Sequence, residues 1–112
     1  GASDQDISGP KNERMRRALE MVLALRKPLV YAAGHDHGLQ VLDGKTARHL
    51  LVCGAGIINH EDRVTWIPQT RYASSLAGFM RLDFLKDRRV RLGVETVDAK
   101  AVITESYAEY LK

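Results

Sequence analysis

The sequence predicts a layered α/β chain of α+β organisation: one helix, then a mostly antiparallel set of strands. Three observations carry that expectation. Apolar residues recur at three- and four-residue steps over 10–26, as along one face of a helix. Beyond Pro28, short apolar runs are separated by Gly-, Asp- and Lys-containing turns, as strands are. With 112 residues, 45% of them hydrophobic, the chain can bury one small core and is too short for two domains.

Residues 1–9 are polar and turn-like and read as a leader or a cloning remnant, leaving 10–112 as the folded unit. Gly1-Ala2-Ser3 has neither an initiator Met nor a signal-peptide pattern, so the start reads as a scar or a cut within a longer polypeptide. Ser8, Gly9 and Pro10 make a helix entrance, because Pro fits the first turn without needing its missing N–H. The helix over 10–26 then sets Met15, Ala18, Leu19, Val22 and Leu25 on one side. Arg14, Arg16, Arg17 and Glu20 take much of the other, a solvated face. Arg26 and Lys27 suit the negative end of the helix dipole, and Pro28 forbids continuation. Residues 29–33 are apolar without alternation, the pattern of a strand covered on both faces. Strands over 39–42 and 48–53 form a hairpin through Asp43-Gly44-Lys45, and 64–67 reads as a brief strand before Pro68. A second hairpin joins 77–85 to 90–97 across Lys86-Asp87-Arg88-Arg89, and 101–105 is extended. No strand–helix–strand crossover can be completed.

Seventeen basic against fourteen acidic residues give a modest, dispersed excess of +3, so no nucleic-acid partner is expected. A lone Cys53 excludes an intrachain disulfide and a cysteine-rich zinc module, and leaves the compartment undecided. No apolar run approaches the roughly 18 residues of a membrane span.

The chemistry-bearing feature is Gly34-His35-Asp36-His37, delivered by the run ending at Ala33. Two imidazoles spaced i, i+2 past a strand end can each give a nitrogen to a metal ion, with Gly34 permitting the bend. Metal-bound water is acidified enough to act as a nucleophile. The plain alternative is a surface loop. His49 reads as a packing or surface residue, His60-Glu61-Asp62 as a solvated loop, and Gly54-Ala55-Gly56 as a turn, since no Lys-Ser/Thr follows as in a P-loop. Cys53 reads as an inert thiol, and Trp66 and Tyr72 as packing aromatics.

The segments Leu29-Val30-Tyr31-Ala32-Ala33-Gly34-His35-Asp36-His37-Gly38-Leu39-Gln40 and Arg48-His49-Leu50-Leu51-Val52-Cys53-Gly54-Ala55-Gly56 resemble the C-terminal third of calcineurin-like metallophosphoesterases, the superfamily of the purple acid phosphatases. The resemblance implies the C-terminal portion of a metallophosphoesterase β-sandwich with flanking helices. It makes His35 a ligand of one metal and His37 of the other in a dinuclear centre of Fe, Mn or Zn acting on a phosphoester. The family's Asp-x-His, Gly-Asp, Gly-Asn-His and isolated His motifs are absent, so no catalytic residue lies in this chain and it is expected to be inactive alone. Its expected partner is the missing N-terminal part of the same fold, or a second copy. The alternative is a free-standing, noncatalytic β-rich interaction module in which the His pair is incidental or holds one structural metal.

Overall fold

A computed structural model of the chain describes residues 9–56 and 63–112. Pro10 opens a 3-10 turn, Pro10–Asn12, that leads into α1 (Glu13–Arg26). The helix ends at Lys27, whose backbone turns left-handed (φ 44°) and whose N–H donates to Leu23 O at 2.7 Å. Pro28 then carries the chain into β1 (Val30–Ala33). β2 (Leu39–Asp43) and β3 (His49–Cys53) form the expected hairpin, with Val41 opposite Leu51. β4 (Thr70–Ser74) completes a four-stranded sheet of order β1-β3-β2-β4, in which β1 runs parallel to β3. A second sheet, of order β5-β6-β7, is a fully antiparallel meander of β5 (Gly78–Phe84), β6 (Val90–Val97) and β7 (Ile103–Leu111).

Period-two alternation explains the core. From the first sheet Leu39, Val41 and Leu51 point inward, and from the second Leu92, Val94 and Leu111 do. The two inner faces bury one another as in a sandwich. On the outer face of the first sheet Tyr31, Leu42, Leu50 and Val52 are half-buried; at the β1 edge Ala33 on that face and Ala32 on the inner face are both exposed. The strand expected to be covered on both faces is thus an edge strand.

No residue of α1 is buried. Its half-buried positions, Arg16, Leu19 and Leu23, follow one helical ridge, while Met15, Met21, Val22 and Leu25 stand at least half exposed, Leu25 at 81%. Among the described residues no helix is long and apolar enough to cross a membrane.

Two strand expectations are corrected. Residues 64–67 are not a strand; Thr70–Ser74 is, held by pairing of Leu39 with Ser74 and Val41 with Tyr72. Its sequence has no apolar run, because only Tyr72 and Arg71 reach inward to partners. The extended 101–105 segment is the start of a strand that continues to Leu111, since Tyr107, Glu109 and Leu111 take alternate inward positions. Left-handed backbone occurs at Lys27, His35, Arg88 and Ala101 and at no described glycine. Each such residue costs roughly 1 kcal/mol relative to glycine. Gly34 therefore does not supply the bend; His35 does, at φ 78°.

Candidate functional site

The His pair sits in the loop from β1 to β2. Gly38 N–H donates to Asp36 O at 2.8 Å, which closes a tight turn around His37. Gly54, just past β3, donates to Gly38 O at 3.1 Å and lies so close that a Cβ on it would stand 2.1 Å from Asp36 O. The glycine-rich segment after β3 is thus the seat of the His loop, and Ala55, buried beside it, accepts a hydrogen bond from Gly78 N–H at 2.9 Å and ties the first sheet to the second. This close approach accounts for Gly54 without a phosphate. Gly54→Ala is expected to lose about 2 kcal/mol, within the range of overpacked sites, and to displace the His37 imidazole resonances. Denaturation and NMR titration check both.

His35 is exposed and His37 half-buried. Among the described residues no group of three or more His, Cys, Asp or Glu is arranged so that it could hold a metal ion, and His60-Glu61-Asp62 lies outside them. Two imidazoles are half of a tetrahedral donor set. Cys53, half-buried, packs against the core.

A denser polar cluster, missed in the sequence, lies where the sheets meet. Arg71 on β4 donates from Nη1 to Asp43 on β2, and from Nη2 to Glu109 Oε1 on β7 at 2.7 Å and His49 Nδ1 on β3 at 2.8 Å. A guanidinium has only N–H donors, so His49 Nδ1 accepts and its Nε2–H donates to Lys112 O at 3.0 Å. Tyr107 donates to the other Glu109 oxygen at 2.7 Å and stacks on Tyr72, with ring centroids 5.0 Å apart. Burial works against the Arg71 charge, but its hydrogen bond to Asp43 and the charges of Glu109 and Asp43 outweigh it and raise its pKa. Burial, then the Glu109 hydrogen bond and charge, push the Tyr107 phenol up. The cluster contains a cation, two carboxylates and a neutral imidazole, all engaged with one another. It joins the sheets, and of its polar atoms Arg71 Nε is buried without a hydrogen-bond partner among the described residues. The signal for it was a charged residue, Glu109, at an inward strand position.

No protein-family model and no curated protein matches the chain. Among solved structures it is similar to GAP50, the anchor in the inner membrane complex of Plasmodium, with a TM-score of 0.71 over 94% of this chain. The likeness is to an anchor protein. At 18% identity it speaks for the fold alone, and this chain spans about a third (32%) of that chain's length. The resemblance to calcineurin-like metallophosphoesterases is corrected accordingly: family models match no part of the chain, and the aligned structure is named for anchoring. Gly-His-x-His is too short to carry a family by itself. Here its backbone is set by contact with Gly54, and the described residues gather no further metal donor around it.

Proposed function

We propose that the chain is a noncatalytic β-rich interaction module that holds a partner polypeptide against the apolar flank of α1. The observation that carries this reading is a 14-residue helix with no buried residue. Met15, Ala18, Val22 and Leu25 follow at three- and four-residue steps on its exposed side, with Met21 bordering them. Such a stripe buries itself when a complementary surface is present. A polypeptide is favoured as occupant because the fold likeness takes up only 32% of a longer chain, so the same unit exists elsewhere beside much more polypeptide. In this reading His35 and His37 are incidental to binding.

A photo-crosslinking residue placed at Leu25 in the source cells is expected to give an adduct with one protein of defined mass, and one placed at Arg17 on the polar side is not. With that protein purified, Met15→Ser/Val22→Ser/Leu25→Ser weakens binding by about tenfold or more without lowering the melting temperature, and His35→Ala/His37→Ala leaves it unchanged. Adducts only with a second copy of the chain, equal adducts from both positions, or binding lost with the His pair would each overturn the proposal.

A further inference from the structure

The topology collects five chain segments at one end of the sandwich. Arg48 N–H donates to Pro28 O and His49 N–H to Leu29 O, both at 3.0 Å, which sets the α1–β1 joint beside the 44–48 loop. Asp43 N–H donates to Gln69 O at 2.8 Å, which brings in the segment before β4. His49 holds Lys112 O, and Phe84, Val90 and Leu111 are in register, so the β5–β6 turn and the end of β7 are there too.

These segments carry exposed Lys27, Lys45, Arg48, Lys86, Arg88 and Lys112, none with a carboxylate partner among the described residues. The acids nearby are already engaged, Asp43 by Arg71 and Asp87 by Arg89. Large apolar side chains stand among the cations: Trp66 and Ile67 before β4, and Phe84, 78% exposed, at the end of β5. Two of the cations, Lys27 and Arg88, occupy left-handed positions that glycine would take at lower cost.

We propose that this end of the molecule seats on an anionic lipid surface, with Trp66, Ile67 and Phe84 entering the headgroup region and the lysines and arginines facing acidic headgroups. Unpaired cations interleaved with exposed aromatic and aliphatic tips are what an interfacial membrane contact requires. A nucleic acid fits less well: only Trp66 and Phe84 among the three apolar tips offer a ring face to a base, and Ile67 offers none.

Trp66 is the chain's only tryptophan and sits at the proposed contact, so its fluorescence reports seating directly. The purified chain is mixed with phosphatidylcholine vesicles with or without about one third phosphatidylserine. With phosphatidylserine, a blue shift of Trp66, quenching by brominated acyl chains and co-sedimentation that fades with added salt are expected; with phosphatidylcholine alone, little of each. Lys45→Ser/Lys86→Ser/Arg88→Gly should weaken partitioning by on the order of 100-fold, at about fivefold per cation. Met15→Ser/Val22→Ser, which removes the flank assigned to the partner polypeptide, should leave it intact, so the two readings fail separately. No sedimentation, sedimentation without a Trp66 shift, or a salt-sensitive Trp66 response to a single-stranded oligonucleotide stronger than that to vesicles would overturn the proposal. The triple variant's own melting curve guards against misfolding, and Phe84→Ser alone, at an exposed position, should reduce quenching in a chain of unchanged melting temperature.

Discussion

Leu39→Ala is expected to destabilise the chain by about 3 kcal/mol, whereas Leu25→Ala should change its stability by less than about 0.5 kcal/mol. Leu39 is fully buried, pairs with Cys53 and Ser74 across the first sheet, and lies against Gly78 at the start of the second. Truncation opens a cavity between two sheets whose backbones are pinned by ladder hydrogen bonds, so little collapse can offset the loss. Leu25 has the same chemistry at 81% exposure and buries almost nothing. For a domain of this size the first substitution should lower the melting temperature by roughly 15 °C and the second by a degree or two. Urea unfolding of both variants reads the difference. Comparable losses would mean that α1 packs on its own chain, and would remove the observation on which the partner surface rests.

The same contrast explains what the sequence made legible. The helix over 10–26 was visible from its periodicity and its Pro boundaries alone, since its apolar stripe stays exposed, whereas in both hairpins local pattern and final burial agree: Leu39, Val41 and Leu51 alternate inward, and the three-residue turn Lys86-Asp87-Arg88 closes with Leu85 N–H donating to Arg89 O at 2.9 Å. β4 was invisible because Thr70-Arg71-Tyr72-Ala73-Ser74 is strand only by virtue of its neighbour β2. The second half of β7 was hidden by Glu109, a charge at an inward position that makes sense only once Arg71 is opposite it. Periodicity measures burial against apolar groups, and it does not see a polar seam. The His-x-His motif could not carry a family for a related reason. Spacing along the chain placed two imidazoles near one another, but ligand sets are completed across the fold, and what the fold sets against this loop is the backbone of Gly54.

Arg71→Met should cost about 2 kcal/mol, more than Asp43→Asn, for which about 0.5 kcal/mol is expected. Removing the guanidinium leaves Glu109, with its side chain only 25% exposed, facing a neutral imidazole and a phenol, while Asp43, 60% exposed, returns to water at little cost. The Met side chain recovers some of the packing, so the loss stays below that of a fully buried pair. Pairing Arg71→Met with Glu109→Gln should return about 1 kcal/mol, the signature of a direct contact. The seam also sets an alkaline limit. Burial and Glu109 raise the Tyr107 phenol above its ordinary 10.0, so the folded chain binds that proton more tightly than the unfolded chain does. The stabilisation is complete below the unfolded value and is lost as pH rises through the folded one. Urea midpoints should therefore fall as pH climbs beyond about 10, and Tyr107→Phe should make the fall shallower. An unchanged slope would mean that the phenol does not donate to Glu109 in solution, and that Arg71 alone carries the junction between the sheets.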